Sequence, residues 1–248
     1  MFFVWIVRLL KEFGMLFFQG TLITIAITVI GTFIGYLIGF LMGIVESAPL
    51  DKKDITIKSC GIRLLKFIGK FYILIFRGTP MIVQAMVIYY GSLQAFNIDL
   101  NSFTAAVIVV SLNTGAYMAE TVRGGIMSVD SGQQEGATAL GMSHFKTMLT
   151  VVLPQAFYNI IPQMGNNFIA NVKDTSVLNI ISVTELFFTT KTVAGSYYKY
   201  FEAYTITACI YLGLTLVFNF LFKLIEKGAA PKNEYALVDV KAYERGLL

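Results

Sequence analysis

Residues 128–154, SVDSGQQEGATALGMSHFKTMLTVVLP, form the most informative stretch of the chain. This stretch is a polar, glycine-punctuated island between two apolar segments. Ser131 followed three residues later by Gln134 matches a capping box, and Glu135 favours the positive end of the helix that begins there. Gly141 can supply the left-handed stop at the other end. The pattern predicts a short helix of about two turns between Ser131 and Gly141.

A second helix follows directly. Ser143 is a good N-cap for a helix over residues 144–152, and Pro154 is predicted to end it. Gly136 and Ala137 give the first helix little side-chain bulk, so that another protein could approach its backbone closely. The spacing favours a docking helix, and the alternative is an ordinary helical hairpin.

The composition places the chain in a lipid bilayer. Its 248 residues are 56% hydrophobic and 14% charged, and the mean hydropathy is +0.69. These values are too apolar for a soluble domain and too poor in charge for disorder. A hydrocarbon core of ~30 Å requires roughly 20 helical residues. Five uncharged runs meet that length and predict an all-α membrane protein with five transmembrane helices: 13–45, 78–98, 100–119, 147–172 and 203–222.

The nineteen lysines and arginines predict the orientation of these spans. Six lie between residues 46 and 70, two in the loop around residues 123–146, and five beyond residue 222. The opposite side has Arg8, Lys11, Lys191 and Lys199. Because cytoplasmic loops carry the excess of cations, we expect the N-terminus outside, and the 128–154 loop and the C-terminus inside.

Residues 77–80, RGTP, interrupt the second apolar run. A charge near the bilayer centre costs about 2.5–3.5 kcal/mol on insertion scales, so Arg77 should face a partner or a wet cavity. Thr79 is a good N-cap and Pro80 a good first helical residue. The pattern predicts a new half-helix whose positive end points into the protein, where it could hold a carboxylate.

Two polar stripes lie on other spans. Gln163, Asn167, Asn171 and Asp174 are spaced four, four and three residues apart, and therefore share one helix face. Asn113, Tyr117 and Glu120 form a similar stripe. Lipid would reject these faces, so the stripes and the broken helix predict a shared aqueous path.

The alternative for the intramembrane charges is that they pair with one another and lock the bundle. We favour that alternative for Glu120 with Arg123, which lie one turn apart. We favour a functional role for Arg77 and Asp174, because ionisable groups inside membranes are functional candidates. Lys173 fits either interpretation.

Four glycines at a strict spacing of four, Gly31, Gly35, Gly39 and Gly43, form a smooth stripe on the first span. Such stripes allow close helix packing. We expect packing within the chain, and a dimer contact is the alternative. Residues 1–14 mix bulky and charged side chains, which predicts an interfacial segment. The rest of the chain divides into a membrane domain over 15–225 and an inner tail over 226–248. The membrane domain contains a polar linker over 46–56, the 128–154 loop and a polar, tyrosine-rich loop over 185–202.

The sequence contains no phosphate-binding G-x-x-x-x-G-K-[ST] motif, so the chain is not predicted to bind ATP itself. His144 is its one histidine, with no second histidine or nearby cysteine that would form a metal site or a nucleophile pair. No catalytic residues, bound cofactor, metal or nucleic-acid partner are therefore predicted. The net charge of +4 reflects the cations of the inner side.

The 128–154 loop resembles the signature of the membrane subunits of bacterial ATP-binding-cassette importers. In that signature a Glu-Ala-Ala triplet, three residues, a glycine and nine residues precede an aliphatic-x-Leu-Pro sequence. Glu135, Gly136 and Ala137 stand at the triplet, Gly141 at the glycine, and 151–154 (VVLP) at the end. Gly136 replaces an alanine and Val151 the usual isoleucine. The resemblance implies a type I importer fold and a coupling helix with these contact residues: Gln134, Glu135, Gly136, Ala137, Leu140 and Gly141.

Four further segments are similar to polar-amino-acid permeases of that class: FRGTP at 76–80, LNTGAY at 112–117, RGG at 123–125 and KDTS at 173–176. The resemblance covers about 21–222. It implies a permease in the bacterial cytoplasmic membrane that takes an amino acid from an extracytoplasmic binding protein. It also implies two ATPase partners that use ATP and Mg²⁺, and a second permease copy or paralogue. The residues expected to line the path are Arg77, Thr79, Asn113, Tyr117, Asn171, Lys173, Asp174, Thr175 and Ser176.

Two alternatives belong to other functional classes. An ion-driven secondary transporter could use Asp174 and Glu120 as coupling carboxylates, although the inverted repeats expected there are not visible. An intramembrane enzyme would need the histidine, cysteine or metal groups that the sequence lacks. Uptake without any ATPase subunit would support the first alternative, and turnover of a lipid or peptide the second.

Overall fold

The computed structural model describes residues 1–48 and 57–229. Within these ranges the chain is helical and contains no β-strand. It also contains a π-helical segment, Met148–Val152, and a 3-10 segment, Thr175–Ile181. The helices are α1 (Phe2–Ser47), α2 (Ile57–Gly78), α3 (Met81–Phe96), α4 (Ser102–Met127), α5 (Ser131–Ala139), α6 (His144–Thr147), α7 (Leu153–Asp174), α8 (Leu186–Tyr197) and α9 (Tyr200–Ala229).

The glycine stripe of α1 packs against α4, which confirms the prediction of contact within the chain. A Cβ built on Gly31 would lie 2.8 Å from the Cβ of Val110, and one on Gly43 would lie 2.6 Å from the Cβ of Val122. At Gly39 the obstruction includes backbone, because the Gly115 carbonyl oxygen would be 3.0 Å away. Only glycine permits this approach, so the stripe holds α1 directly against α4.

A buried hydrogen bond also joins α1 to α7. The hydroxyl of Tyr36 donates to the Met164 carbonyl oxygen at 2.5 Å. We expect Tyr36→Phe to reduce the free energy of unfolding by about 1 kcal/mol, the usual net contribution of one hydrogen bond. Thermal unfolding of the detergent-solubilised chain measures this loss. Tyr204→Phe on α9 is the control, and an equal shift in that variant would contradict the assignment.

In the part of the chain that the structure describes, three helices are long and apolar enough to cross a membrane, namely α1, α4 and α9. Two bent pairs raise the number to five if each pair is one span. Residues 60–78 of α2 and the whole of α3 meet at 112°, and the segment from His144 to Ile181 meets α8 at 59°. The predicted five spans are therefore the upper end of a range of three to five. The predicted run 78–98 covers only the second half of its bent pair, which begins at residue 60 and is broken at residues 79–80.

The 128–154 loop forms the two helices that were predicted, but one cap differs. The N-cap of α5 is Asp130, whose carboxylate accepts from the Gly132 amide at 2.7 Å, and Ser131 is the first helical residue. The stop at Gly141 is confirmed, with φ = 78°. The Gly141 amide donates to Thr138 and the Met142 amide donates to Ala137, which is the Schellman arrangement.

Ser143 caps α6 as predicted, because its hydroxyl accepts from the Lys146 amide at 3.4 Å. The prediction that Pro154 ends this helix is wrong. The helix continues through the π segment, and Pro154 lies in the first turn of α7, a position that tolerates proline. The Gln155 side chain donates to the Val151 carbonyl at 2.8 Å. One bent helical unit therefore replaces the separate helices expected from the sequence.

The chain break before α3 is confirmed, but its details differ from the prediction. Pro80, in an extended conformation, is the N-cap of α3, and Met81 is the first helical residue. Thr79 does not cap α3, because its hydroxyl donates backwards to the Ile75 carbonyl at 2.8 Å. The residue before a proline is disfavoured in the helical region, which ends the α2 conformation at this point and produces the sharp bend.

Residues 185–202, for which the sequence predicts a loop, are mostly helical. They include α8, which packs between α1 and α9. Its buried side chains join those of α1 and α9 in one apolar cluster: Leu9, Phe17, Leu186, Val193, Ala194, Ala203 and Ile206. This part of the bundle supports the segment that follows α7.

Some predictions lie wholly or partly outside the described residues. These are most of the polar linker over 46–56 and the inner tail beyond residue 229, with their lysines and arginine. The predicted interfacial segment 1–14 is helical and continuous with α1, so no break in the helix marks its boundary. At 1.5 Å per residue, the 46-residue α1 is about 69 Å long, roughly twice a hydrocarbon core.

Candidate functional site

A cavity of about 590 Å³ lies where α3, α4, α7 and the 3-10 segment meet. Its volume is within the range of small-molecule sites. Eight of its thirteen lining residues are polar, and one of these carries a charge. Five of the predicted path residues line it, namely Thr79, Asn113, Tyr117, Asn171 and Asp174, together with Pro80, Met81, Ile82, Gln163, Asn166, Asn167, Ala170 and Val177. The break before α3, the whole α7 stripe and two members of the α4 stripe therefore face one space, whereas Glu120 of the α4 stripe does not line it.

Gln84 fixes the break at one end of the cavity. Its side-chain amide donates to the carbonyl oxygens of Phe76 and Thr79 at 2.9 and 2.8 Å. Its own oxygen accepts from Asn113 on α4 at 3.0 Å. These contacts hold the end of α2 and the start of α3 against the α4 stripe. The first amides of α3 have no partner within their own helix, and Met81 and Ile82 line the cavity.

Asn171 holds the opposite wall. Its buried amide donates to the hydroxyl of Thr32 on α1 at 2.7 Å and to that of Thr114 on α4 at 2.8 Å. This amide ties α7 to the glycine-packed pair, so Asn171 shapes the wall as well as lining it. One helical turn away, the buried Oδ1 of Asn167 has no hydrogen-bond partner. Buried polar atoms are normally paired, so this oxygen is available to a ligand donor.

The KDTS residues have four different environments. Asp174 is exposed to the cavity, and it is the only carboxylate among the lining residues. Lys173 is exposed but does not line the cavity. Thr175 is fully buried and donates to the Val172 carbonyl at 2.9 Å. The carbonyl of Ser176 accepts from Asn179 at 2.6 Å. Of these four residues, only Asp174 presents a charge to the cavity.

Arg77 does not line this first cavity, although it was expected to line the path. It lines a second, more open cavity of about 400 Å³ with Lys70 and Glu120. Its guanidinium is 3.3 Å from the Glu120 carboxylate and 5.4 Å from the centre of the Tyr117 ring. Arg123 meets the same carboxylate at 3.2 Å, as the pairing alternative predicted. Glu120 thus joins α2 to α4, and Tyr117 separates this ion-pair cluster from the larger cavity.

The residues predicted to contact a partner lie on α5 and the turn after it. Glu135, Gly136, Leu140 and Gly141 are exposed, and Leu140 has 85% of its surface exposed. Gln134 is half-buried. Ala137 is 6% exposed and therefore faces its own chain. A Cβ built on Gly136 would meet no atom within 4 Å, so the outer face of α5 is open.

Several residues at or beside the cavity were not among those predicted from the sequence. Gln84 was not singled out, although a glutamine one turn inside an apolar half-helix indicates a satisfied buried contact. Asn166 lies beside the predicted stripe and also lines the cavity. Met81, Ile82, Ala170 and Val177 carry no polar signal, and only the fold brings them to the site. Within 1–48 and 57–229 no group of three metal-binding side chains occurs.

Comparison with protein families gives one match over most of the chain. Residues 62–230 match the model for the binding-protein-dependent transport system inner membrane component. The putative glutamine transport system permease protein of Rickettsia prowazekii is 38% identical over 165 residues, which are 66% of this chain and 76% of the relative. The arginine transport system permease protein of Bacillus subtilis is 37% identical over 161 residues, 65% and 74% of the two chains.

Solved structures give the same fold. A crystal structure of an amino acid ABC transporter with histidines superposes with a TM-score of 0.77 at 35% identity, covering 88% of this chain and 96% of the other. An inward-facing methionine ABC transporter superposes with a TM-score of 0.73 at 17% identity, covering 89% and 99%. The second likeness concerns the fold alone.

Proposed function

Because this chain belongs to the binding-protein-dependent transport system inner membrane components, we propose that it forms the translocation path for a polar amino acid in an ATP-driven importer. The observation that carries the proposal is the amide-lined cavity with a single carboxylate. Relatives named for glutamine and arginine transport support an amino-acid cargo. The chain is a permease subunit and is not itself catalytic.

The cavity suits the two charged groups of a zwitterion. The Asp174 carboxylate attracts an ammonium group. The N-terminal amides of α3, at Met81 and Ile82, can bind a carboxylate at the positive end of the helix dipole. Thr79, Asn113 and Tyr117 also line the cavity and supply polar contacts. Arg77 is assigned a supporting role, because its guanidinium already pairs with Glu120.

The energy for transport comes from separate ATPase subunits in this proposal. Two such subunits bind ATP and Mg²⁺. One docks on each permease subunit, in this chain on the open face of α5 around Gly136 and Leu140. Movement of α5 reaches the cavity through one bent helical unit, since α6, the π segment and α7 follow each other without a loop. After the turn at Gly141, continuous helix therefore leads from the docking helix to the cavity wall.

The membrane arrangement follows from the cation distribution. The N-terminus lies outside, and the α5 loop and the C-terminus lie inside the bacterial cytoplasmic membrane. An 18-residue apolar window of α9 is not buried within the chain, and α2 and α3 expose many large apolar side chains. Lipid and a second permease subunit cover these surfaces. An extracytoplasmic binding protein delivers the cargo.

The test is reconstitution of the chain with its ATPase subunits, its paired permease and its binding protein in liposomes. We expect uptake of labelled glutamine or arginine that requires ATP on the ATPase side. Omitting the ATPase subunits is the control, and it should abolish uptake. Uptake that persists without them under an ion gradient would overturn the proposal in favour of a secondary transporter.

A further inference from the structure

A fully buried carboxylate lies outside the cavity and has no part in the proposed function. Glu185 is 0% exposed, and it lies between the 3-10 segment and α8. It does not line the cavity. Among residues 1–48 and 57–229, no cationic side chain forms an ion pair with it. Burying a carboxylate without a cation is costly, so its polar contacts must satisfy its oxygens.

The contacts of Glu185 join three helices. Its two oxygens accept from the Phe187 amide at 2.9 Å and from the Phe188 amide at 2.7 Å, which caps α8. The Tyr211 hydroxyl on α9 donates to the same carboxylate at 3.1 Å. The next residue is held to α1, since the Leu186 amide donates to the Thr24 hydroxyl at 3.2 Å.

The approach of α1 to this junction depends on Gly20. A Cβ built there would lie 3.1 Å from the Leu186 Cα, 3.2 Å from the Glu185 carbonyl carbon and 2.7 Å from the Thr189 hydroxyl. Two of these three atoms are backbone and cannot turn away. The glycine therefore lets α1 touch the chain at the point where the carboxylate caps α8, which closes the junction on its third side.

The junction lies directly after the cavity wall. Asp174 and Val177 line the cavity, and the 3-10 segment that carries Val177 ends at Ile181. Leu178 and Ile181 are fully buried in the core formed with α1, α3 and α4. A 3-10 segment has poorer hydrogen-bond geometry than an α-helix, and this one leads into Ser182 at φ = 62°. Its downstream end is held by the Glu185 junction.

We propose that Glu185 is a positioning residue for the translocation cavity, holding the wall segment 174–181 in its cargo-binding conformation through α8, Tyr211 and Thr24. A serine or aspartate would cap a helix equally well, but neither has the reach of a glutamate toward Tyr211. Loosening this junction lowers the fraction of molecules with a formed wall, and the apparent affinity for cargo falls by that fraction.

The first experiment measures uptake by the reconstituted complex, with labelled glutamine and arginine as probes, and so rests on the proposed function. We expect Tyr211→Phe, which keeps the α8 cap, to raise the half-saturating concentration by about fivefold, the equivalent of one hydrogen bond. Glu185→Ala should raise it roughly tenfold or more, because it leaves three donors without an acceptor. Glu185→Gln should recover part of the loss, with the maximal rate little changed throughout.

The second experiment needs no transport. Cys60 and Cys209 are free and exposed, so both are first replaced by alanine, and Val177 is replaced by cysteine as a probe of the wall. We expect Tyr211→Phe to speed modification of this cysteine by a soluble methanethiosulfonate several-fold, since the wall opens more often. Tyr204→Phe on the same helix is the matched control.

The two readouts separate this inference from the proposed function. If no amino acid is taken up by the parent complex but the Val177 cysteine still reacts faster in the Tyr211 variant, the proposed function fails and the positioning role stands. If uptake is normal in the parent, and neither the half-saturating concentration nor the cysteine reactivity changes in Tyr211→Phe and Glu185→Gln, the positioning role is wrong.

Discussion

Gly136→Leu is expected to abolish coupling between ATP hydrolysis and uptake while leaving the permease folded. A side chain at this position meets no atom of its own chain within 4 Å, so the substitution places its bulk entirely on the outer face of α5. If an ATPase groove closes on that face, the leucine prevents contact. Loss of a well-packed interface contact typically exceeds 2 kcal/mol, so coupled hydrolysis should fall by roughly 30-fold or more. The measurement is cargo-stimulated ATPase activity of the purified complex.

The matched control is Gly195→Leu on α8. This glycine is also helical and exposed, and a Cβ there also meets nothing within 4 Å. It lies far along the chain from the α5 loop, so hydrolysis should be unchanged. Thermal unfolding of the permease alone should be similar in both variants. Full activity of Gly136→Leu would show that no partner approaches this face and would remove the main support for the docking helix.

The local features of the 128–154 loop could be predicted because they depend on neighbouring residues. Gly141 adopts φ = 78° and Ser143 caps the next helix, and both follow from the chemistry of one turn. Asp130 and Ser131 are both good caps, and the sequence alone does not show which of two adjacent residues takes the role. The error at Pro154 has another cause, since a π segment is a rare solution that simple helix rules do not include.

The site itself was only partly predictable. The stripe of Gln163, Asn167, Asn171 and Asp174 was correctly placed on one face, because helical spacing determines it. Periodicity cannot show which helices meet, and for that reason the pairing of Arg77 with Glu120 was an alternative that the sequence did not favour. These residues are 43 positions apart in the chain and come together because α2 packs against α4.

The α8 region shows a third limit of prediction from sequence. Its polar and tyrosine-rich composition suggested a loop, but Glu185 satisfies the first amides of a helix and α1 supplies the rest of its surroundings. The signal was present in the glutamate that precedes an apolar run. Its meaning depended on Thr24 and Tyr211, which are distant in the chain, and no local rule connects the three.

Asp174→Asn is expected to reduce the specificity of uptake, measured as kcat/KM, by roughly 10- to 100-fold. The change removes the one carboxylate that faces the cavity and keeps its size and a hydrogen-bonding oxygen. A hydrogen bond to a charged group contributes about 1.5–3 kcal/mol, which converts to roughly that range. Lys173→Gln is the control, because it changes a full charge at the adjacent residue without touching the cavity lining. We expect less than about a twofold effect there, since exposed charges are screened. Equal losses in both variants would mean that the electrostatic potential around residues 173 and 174 affects uptake, and not a direct contact between Asp174 and the cargo. Normal uptake by Asp174→Asn, with Lys173→Gln also normal, would leave Asp174 as a structural residue and assign recognition of the ammonium to the amides of Asn167 and its neighbours.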